Sequence, residues 1–353
     1  MSRFLQSKFD LLEAYVPGEQ PQDRSYVKLN TNESPFPPPE PVLAAMAEAA
    51  ASAQLYCDPV CRALREAAAD LYGLELDQIL AFNGSDEALS FAFLAWGGDG
   101  VAFPAVSYGF YPVFAALHGL DALALPLNED LSIDPAAYHG LGRLIVIANP
   151  NAPTGLCLSP AALGTIAAAN PDHVLLVDEA YVAFGAESVL PLLGDHPNLV
   201  VVRTFSKSHS LAGARLGLAF GAPELMADLD LLRNSVNPYN VSRMGQAAGA
   251  AALRDDALFM ARCRAVAKTR DDTASSLRAL GFTVTDSKAN FLFVRPAGCG
   301  GEALYRGLKR QGVLVRWFSR PDLKDWVRVS VGTEEQMAAF LAAVREVLTH
   351  ADC

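Results

Sequence analysis

Long hydrophobic runs are missing from this 353-residue sequence. No stretch reaches the roughly 18 uninterrupted apolar residues that a membrane-spanning helix needs, so no membrane segment is predicted. The N-terminal residues carry scattered charges and lack the apolar core of a signal peptide. No secretory signal is therefore predicted, and a cytoplasmic location is expected.

Positive charge is in deficit. Lysine and arginine number 28 against 39 aspartates and glutamates, which leaves a formal net charge of −11 at pH 7 with histidine neutral. A nucleic-acid-binding protein needs a basic face for the phosphates, so this class is not expected. A small anionic substrate remains compatible with the sequence, because a few local arginines can outweigh the average field.

Cysteine and histidine are scarce, with six residues of each. Only Cys57 and Cys61 lie close together, and no histidine neighbours them, so the ligand spacing of a zinc site is missing. The histidines form no pattern that is typical of metal ligands. We therefore predict reduced thiols and no bound metal.

Apolar residues, in contrast, make up 51% of the sequence and charged residues only 19%, which is typical of a folded chain. Short apolar runs at 144–148, 174–177 and 199–202 are separated by helical segments. Such runs are buried on both faces of a sheet, so they predict an α/β fold with a mostly parallel central sheet between helices. Beyond residue 221, long helical stretches, one of them over 243–280, precede further strands and predict a smaller α/β C-terminal domain.

One of the apolar strands ends in a carboxylate. Asp178 follows the run at 174–177, and Tyr181 comes three residues later. Ligands of open α/β sheets bind at the carboxyl ends of the strands, so a carboxylate there indicates a binding site. Near the core it is also costly unless a cation meets it. Taken alone, a helix cap with a packed tyrosine explains this segment equally well.

The next apolar strand ends near an amine. Lys207 closes the segment Thr204-Phe205-Ser206-Lys207, and Arg215 follows eight residues later. A lysine beside a buried strand end can have a lowered pKa and attack carbonyl groups. Hydroxyls, backbone N–H groups and a guanidinium suit a phosphate. By itself, Lys207 is more simply explained as a solvated loop lysine.

Together these groups match the chemical needs of pyridoxal 5′-phosphate. Its aldehyde needs an amine, which Lys207 offers. Its ring nitrogen needs a carboxylate to stay protonated, and its phenolic oxygen needs a hydrogen-bond donor. Asp178 and Tyr181 are candidates for these two contacts.

Three upstream segments extend this prediction. The turn Asn83-Gly84-Ser85-Asp86-Glu87 precedes a helix predicted to begin near residue 88, and helix N-termini bind phosphate through free N–H groups. The loop Asn149-Pro150-Asn151-Ala152-Pro153-Thr154-Gly155 follows a buried strand and offers an asparagine to a ring oxygen; one of its X–Pro bonds is expected to be cis. Tyr108 also follows a strand and can stack on a planar ring.

These motifs, in this order, resemble those of the fold type I, class I and II aminotransferases, and most of all the histidinol-phosphate aminotransferase family. The resemblance covers nearly the whole chain. Besides the segments above, it is carried by Tyr15-Val16-Pro17-Gly18, Leu29-Asn30-Thr31-Asn32-Glu33-Ser34-Pro35, Val177-Asp178-Glu179-Ala180-Tyr181, Leu211-Ala212-Gly213-Ala214-Arg215-Leu216-Gly217 and Val327-Arg328-Val329-Ser330-Val331-Gly332-Thr333.

The resemblance implies a role for each candidate residue. Lys207 would bind the aldehyde, Asp178 the ring nitrogen and Tyr181 the phenolic oxygen of the cofactor. The other implied cofactor contacts are Tyr108 as the stacking aromatic residue, Asn151 at the ring oxygen, and Ser85, Asp86, Thr204, Ser206 and Arg215 around the phosphate.

The resemblance also implies how the substrate and a second subunit are bound. Arg328 would grip the substrate α-carboxylate with a bidentate fork, Arg316 and Tyr15 would hold a substrate phosphate, and Asn32 would contact the substrate as well. Without the resemblance, Arg316 and Tyr15 are ordinary surface and packing residues. Tyr56 would reach the phosphate of the neighbouring subunit's cofactor, which makes the expected enzyme a homodimer with composite sites.

The implied domains are an N-terminal arm, residues 1–29, that packs on the small domain, a large cofactor-binding domain, 30–222, and a small domain with the substrate-binding arginines, 223–353. Two positions depart from the family pattern. Ala152 stands where the commonest loop has asparagine, and Leu55 stands where an arginine more usually precedes the tyrosine.

The implied activity is a ping-pong transamination of histidine biosynthesis, in which L-histidinol phosphate and 2-oxoglutarate give imidazole acetol phosphate and L-glutamate. An aromatic amino acid aminotransferase and a threonine-phosphate decarboxylase would carry the same motifs. A nicotinamide-dependent dehydrogenase is a more distant alternative, since Gly298-Cys299-Gly300-Gly301-Glu302-Ala303 matches the pattern GxGxxA.

Overall fold

The computed structural model describes residues 2–10 and 12–349. The helices of this part are, in order, α1 Glu40–Ala50, α2 Arg62–Tyr72, α3 Ser85–Trp96, α4 Tyr111–His118, α5 Pro160–Ala168, α6 Pro223–Val236, α7 Arg243–Arg254, α8 Asp256–Ala279, α9 Gly301–Arg310 and α10 Glu334–Thr349. The strands are β1 Val27–Lys28, β2 Ile79–Phe82, β3 Val101–Pro104, β4 Ala122–Leu125, β5 Leu144–Ala148, β6 Leu175–Asp178, β7 Leu199–Thr204, β8 Gly217–Gly221, β9 Thr283–Val284, β10 Phe291–Arg295, β11 Val313–Leu314, β12 Arg316–Trp317 and β13 Val327–Ser330.

A seven-stranded sheet forms the centre of the larger unit, with strand order β2-β8-β7-β6-β5-β3-β4. Strand β8 runs antiparallel to both β2 and β7, whereas all other neighbours are parallel. Strands β5 and β6 are buried at every position, as their continuous apolar sequences require. The predicted α/β fold with a mostly parallel sheet is confirmed.

Alternate residues of the central strands pack on opposite faces of this sheet. In β6, Leu175 and Val177 join one hydrophobic cluster with residues of α2, α5 and α7, and Leu176 joins another with residues of α3 and α4. Helices therefore cover both faces. The strand ends remain as the place where polar groups can meet a ligand.

A second unit is built on the antiparallel four-stranded sheet β12-β13-β10-β9. Strand β1 pairs in parallel with β11, so the N-terminal segment lies against this unit. The helices after residue 222 pack elsewhere: Met226 of α6 and Ala248 of α7 belong to the clusters on the two faces of the large sheet. Helix α8 contributes to both units, through Phe259 and Val266. The domain limits stay a prediction. This packing favours a boundary within α8, later in the chain than the predicted one after residue 222.

Two helices differ from the sequence-based expectation. The stretch over 243–280 is interrupted at Asp255, whose φ of −113° and ψ of 32° leave the helical region. Helix α3 begins at Ser85 rather than near residue 88, with Gly84 as its N-cap at φ +80°. The acidic residues Asp86 and Glu87 then lie in its first turn, where the helix dipole favours negative charge.

The loop after β5 contains two cis peptide bonds, Asn149–Pro150 and Ala152–Pro153, where one was expected. The GxGxxA segment leads into α9, with Gly300 as the N-cap. The strand before it, β10, is antiparallel to both of its neighbours. A dinucleotide fingerprint needs a parallel strand–helix–strand unit, so the dehydrogenase alternative is wrong.

Three expectations from the composition can be compared with the structure: the membrane segments, the metal ligands and the state of the cysteines. Within residues 2–10 and 12–349, no helix combines the length and the apolar character needed to cross a membrane. The same residues contain no group of three or more metal-ligating side chains. Cys57, Cys61, Cys157 and Cys263 are free thiols, whereas Cys299 is in a disulfide, so the prediction that all six cysteines are reduced is wrong for that residue.

Candidate active site

A cavity of about 200 Å³, here called the inner cavity, lies where β6 and β7 end and α3 begins. All nine of the predicted cofactor residues other than Asn151 and Tyr56 line it: Ser85, Asp86, Tyr108, Asp178, Tyr181, Thr204, Ser206, Lys207 and Arg215. Its other lining residues are Thr31, Glu33, Ala148, Ala152, Ala180 and Ala212. Side chains separated by more than 120 positions in the sequence thus meet in one small space.

Asp178 is the last residue of β6 and is almost completely buried. The hydroxyl of Tyr111 donates to its Oδ2 at 2.9 Å, and the N–H of Ala180 donates to its Oδ1 at 3.2 Å. Burial raises the pKa of Asp178 to about 6, although these two hydrogen bonds act in the opposite direction. The carboxylate is therefore held in one orientation and is ionised at neutral pH, but it has no cationic partner among the described residues.

Lys207 follows β7 and faces the same cavity. Its Nζ donates to the backbone carbonyl of Thr31 at 3.2 Å. Burial lowers the pKa of Lys207 to about 8, and the positive charge of Arg328 acts in the same direction, while Glu33 and Asp86 oppose it. A substantial fraction of this amine is therefore neutral in mildly alkaline solution, as a nucleophile or proton acceptor requires.

Tyr181 lines the same cavity and is also buried. Its hydroxyl oxygen accepts a hydrogen bond from Nδ2 of Asn32 at 3.1 Å, and its ring packs edge-on against Phe291. Burial raises the pKa of Tyr181. The phenol therefore stays protonated, and its own proton is available to an acceptor in the cavity.

The far end of the cavity has the features of a phosphate site. The hydroxyls of Thr204 and Ser206 are hydrogen-bonded at 2.9 Å, and Arg215 pairs with Asp86 at 3.0 Å. Gly84 has φ +80°, which favours glycine, and a Cβ added there would lie 2.6 Å from Nη2 of Arg215, so the guanidinium lies close to the start of α3. The N–H groups of the first helical turn have no acceptor within the helix, which makes this end suitable for an anion.

Asp86 also accepts a hydrogen bond from the hydroxyl of Tyr108 at 2.8 Å. This places the predicted stacking aromatic residue on the wall of the inner cavity. Burial, with the Asp86 carboxylate nearby, raises the pKa of Tyr108 far above its ordinary value. Tyr108 thus remains neutral and joins Arg215 in fixing the Asp86 carboxylate.

A larger cavity of about 560 Å³, the outer cavity, adjoins the inner one and shares Tyr108 and Ala152 with it. Arg328, on β13, lines this cavity and donates through Nη2 to the carbonyl of Asn30 at 3.0 Å. Its Nε is buried without a hydrogen-bond partner, and burial lowers the pKa of this guanidinium. It forms no ion pair with any described residue, so a positive charge faces the cavity without an anion.

Two further predicted substrate residues line the outer cavity. Arg316 donates to the carbonyls of Val16 and Pro17 at 3.1 and 3.3 Å. Tyr15 stacks on Phe110 with ring centroids 4.3 Å apart. With Arg320, the outer cavity therefore combines three arginines with aromatic surface, as an anionic substrate with a flat ring would need.

Three predicted site residues lie outside both cavities. Asn32 and Asn151 are each about 99% buried and use their side-chain amides within the protein. The Nδ2 of Asn151 donates to the Val106 carbonyl and to Thr154 Oγ1, and its Oδ1 accepts from Ser107. The predicted contact of Asn151 with a ring oxygen would have to share or replace one of these bonds. Tyr56 lies apart, on a surface described below.

Several residues that build the site were not predicted from the sequence. Tyr111 begins a helix and gave no signal of its contact with Asp178. Glu179, completely buried, pairs with Arg203 at 2.8 Å and ties the end of β6 to the end of β7. The sequence offered a possible signal for this ion pair. Glu179 directly follows Asp178 and Arg203 directly precedes Thr204, and the ends of adjacent parallel strands lie side by side.

The segment of residues 29–32 lies along β13 and connects the two cavities. The Leu29 carbonyl accepts from the N–H of Ser330. The next three carbonyl groups accept hydrogen bonds from three different side chains: Asn30 from Arg328, Thr31 from Lys207 and Asn32 from Asn290. One short stretch of backbone thus fixes the cation of the outer cavity and the amine of the inner one.

Known proteins match this chain over nearly its whole length. The model of the family "Aminotransferase class I and II" matches residues 24–344. A histidinol-phosphate aminotransferase from Marinomonas sp. (strain MWYL1) is 44% identical over 98% of this chain and 99% of its own length. One from Brachyspira hyodysenteriae is 42% identical over 99% of both chains.

Solved structures show the same relationship. The crystal structure of histidinol-phosphate aminotransferase from Sinorhizobium meliloti in complex with pyridoxal-5′-phosphate superposes with a TM-score of 0.86 at 26% identity, covering 99% of each chain. An aspartate aminotransferase from Thermus thermophilus shares the fold, with a TM-score of 0.78 at 22% identity over 92% of each chain. The resemblance seen in the sequence motifs is confirmed, and the chain belongs to the class I and II aminotransferase family.

Proposed function

We propose that this enzyme is a pyridoxal-phosphate-dependent histidinol-phosphate aminotransferase of histidine biosynthesis. It converts L-histidinol phosphate and 2-oxoglutarate to imidazole acetol phosphate and L-glutamate by a ping-pong mechanism. The observation that carries this proposal is the meeting of the Lys207 amine and the Asp178 carboxylate in one cavity that adjoins an arginine-lined cavity. The relatives of that name, at 42–44% identity over nearly the full length, support the substrate assignment.

The donor set of the inner cavity fits pyridoxal phosphate. Asp178 is a buried carboxylate without a cationic partner among the described residues, as a protonated ring nitrogen requires. The guanidinium of Arg215 lies close to Gly84 at the start of α3. With Thr204 and Ser206, this arrangement suits a phosphate dianion.

When bound, pyridoxal phosphate supplies an aldehyde that exchanges with amines and a protonated ring that withdraws electrons from the α-carbon of the substrate. We assign Asp178 to hold the proton on the ring nitrogen and Tyr181 to donate to the phenolic oxygen. Lys207 would hold the aldehyde, and its neutral amine would accept the proton from the α-carbon of the substrate. Tyr108, which lines the same cavity, would offer an aromatic surface to the ring.

The outer cavity receives the two substrates in turn. Arg328 holds the α-carboxylate of 2-oxoglutarate or glutamate, because it is half-buried and cationic, its Nε is buried without a hydrogen-bond partner, and it forms no ion pair with a described residue. Arg316 and Tyr15 hold the phosphate of histidinol phosphate. Because histidinol phosphate has no carboxylate, the same two arginines serve a phosphate substrate and a dicarboxylate in alternation.

Substrate comparison tests this assignment. We expect kcat/KM for histidinol phosphate to exceed those for phenylalanine and threonine phosphate, with 2-oxoglutarate as acceptor. Arg316→Ala should raise KM for histidinol phosphate about 10- to 100-fold, since charged hydrogen bonds are lost, and change the phenylalanine reaction much less. Arg306→Ala, at an exposed ion pair with Glu302, is the matched control. A higher kcat/KM for phenylalanine, or CO₂ release from threonine phosphate, would assign one of the two alternative activities instead.

The pKa of Lys207 predicts how cofactor loading depends on pH. Because burial lowers this pKa to about 8, the ammonium form dominates below pH 8 and the amine form above it. The loading rate of cofactor-free enzyme should therefore rise between pH 7 and 8 and level off near pH 9. With an ordinary lysine, whose pKa is about 10.4, the loading rate would still rise about tenfold per pH unit near pH 9. Stopped-flow absorbance measures the loading rate, and the reaction of pyridoxal phosphate with Nα-acetyl-lysine is the control. A loading rate without a plateau below pH 10 would contradict the lowered pKa of Lys207.

We infer that the enzyme works in the cytoplasm as a homodimer in which Tyr56 completes the neighbouring subunit's site. Tyr56 is 77% exposed and stacks on Tyr239 at 4.4 Å. Leu55, which is also exposed, lines the same groove as these two rings. Exposed apolar surface of this kind is typical of a protein–protein contact.

Hybrid dimers test this arrangement. Lys207→Ala and Tyr56→Phe each inactivate or impair their own homodimers. In a random mixture, the hybrid contains one site with both native residues only if Tyr56 acts across the interface, and about a quarter of the native activity should return. If Tyr56 acts within its own subunit, mixing restores nothing.

A further inference from the structure

Asn32 is held in a left-handed backbone conformation, which few residues other than glycine adopt, although asparagine adopts it more readily than most. Its φ is +56°, in the left-handed region, and it is 99% buried. A residue other than glycine stays there only when its surroundings fix it, and such residues concentrate at functional sites. The surroundings of Asn32 therefore indicate what it does.

Four hydrogen bonds fix Asn32, and they connect the two units of the molecule. Its N–H donates to Oγ of Ser330 at 2.8 Å, and the Ser330 hydroxyl donates to its Oδ1 at 2.8 Å. Its carbonyl accepts from Nδ2 of Asn290 at 2.9 Å. Ser330 belongs to β13 and Asn290 directly precedes β10, both in the smaller unit. The fourth bond, from Nδ2 to the hydroxyl of Tyr181, crosses to the larger unit.

The fourth bond decides where the Tyr181 proton points. An oxygen that accepts from Asn32 has its own O–H directed away from that donor. Tyr181 lines the inner cavity, so the proton is directed toward the space where an acceptor binds. Donation from Asn32 also polarises this O–H and strengthens it as a donor.

We propose that Asn32 is a positioning residue, whose side-chain amide orients the Tyr181 hydroxyl toward the ring oxygen of the cofactor while its backbone is fixed by β13. This inference rests on the proposed function, because it requires a cofactor with an acceptor oxygen beside Tyr181. It replaces the direct substrate contact expected from the sequence, since Asn32 lines neither cavity.

The test is a double-mutant cycle between Asn32→Gly and Tyr181→Phe. Glycine adopts φ +56° without strain, so this variant removes the amide and keeps the backbone. In otherwise native holoenzyme, Asn32→Gly should raise the pH midpoint of the visible absorption change by roughly 0.5–1 unit, the size of one hydrogen bond. It should also raise the Kd for pyridoxal phosphate several-fold. In the Tyr181→Phe background the same replacement should move the midpoint by less than about 0.2 unit.

A second variant covers the case in which the glycine protein does not fold. Ser330→Ala removes the hydroxyl that holds the Asn32 amide in place, and a smaller shift in the same direction is expected, again only when Tyr181 is present. For both variants, KM for 2-oxoglutarate should change by less than about threefold, because Asn32 acts on Tyr181 and not on the substrate.

Three outcomes bear on the positioning role of Asn32 and on the proposed function. An unchanged midpoint in both variants, or an equal shift with and without the Tyr181 hydroxyl, overturns the positioning role. A large rise in KM for 2-oxoglutarate with an unchanged midpoint restores the direct substrate contact. If native protein binds no pyridoxal phosphate and shows no visible band, the proposed function itself fails, which is a separate result.

Discussion

Replacement of Lys207 by alanine should lower kcat for transamination by about 10⁴-fold or more. This residue is proposed both to bind the cofactor aldehyde and to remove the α-proton, and general acid–base catalysis alone contributes about 10²–10⁴-fold. The described residues of the inner cavity offer no second amine. Single-turnover conversion of histidinol phosphate, followed by absorbance on enzyme reconstituted with pyridoxal phosphate, measures the loss.

The control for this variant is Lys268→Ala, at an exposed ion pair with Asp272, which should keep native turnover. Unfolding of the Lys207 variant should begin at no lower temperature than that of the native cofactor-free protein. The reason is that burial disfavours the ammonium form, as the lowered pKa of Lys207 indicates. Native turnover by the Lys207 variant would refute the mechanism.

Replacement of Arg203 by methionine should destabilise the protein by about 3–5 kcal/mol, because it leaves the Glu179 carboxylate buried without its cation. Nε and Nη2 of Arg203 donate to Oε2 of Glu179 at 2.9 and 2.8 Å. Ser188 donates to the same oxygen, and the N–H of Val189 donates to Oε1. The Glu179 side chain is completely inaccessible to solvent while Arg203 is present. Urea denaturation at a fixed protein concentration measures the free energy of unfolding.

Two further variants show whether the buried charge causes this loss. In the double variant Glu179→Met with Arg203→Met, both charges disappear, and the loss should be smaller than for Arg203→Met alone. Arg62→Met removes an exposed ion pair with Glu66 and should cost less than about 1 kcal/mol. A double variant less stable than the single one would contradict the buried charge as the cause, and would mean that Glu179 stabilises the protein through its hydrogen bonds with Ser188 and Val189.

Much of the inner cavity could be predicted because its residues follow recognisable strands. The apolar runs that became β6 and β7 place Asp178 at the end of β6 and Lys207 three residues after the end of β7, which is its parallel neighbour. Parallel strands bring their carboxyl ends to one edge, so two residues 29 positions apart were expected to meet. Tyr108 was predicted as a site residue for the same reason, because it follows β3.

The supporting contacts could not be predicted, because they depend on the packing of segments that are distant in the sequence. Tyr111 reaches Asp178 from the start of α4, and Asn32 reaches Tyr181 from a connection between the two units. Asn32 and Asn151 were expected to touch ligands, but their amides are engaged within the protein. The sequence shows that a motif contains an asparagine. It does not show whether the side-chain amide faces a ligand or a neighbouring carbonyl.

The sequence by itself determined the α/β fold, the family and the types of chemical group at the site, since apolar periodicity and short motifs are local properties of the chain. Tertiary structure alone decided the charge environment. Burial lowers the pKa of Lys207 and raises that of Asp178, and it leaves Arg328 without an anion among the described residues. These effects depend on how much water is excluded and on which charges lie nearby, and both arise only when distant segments pack together.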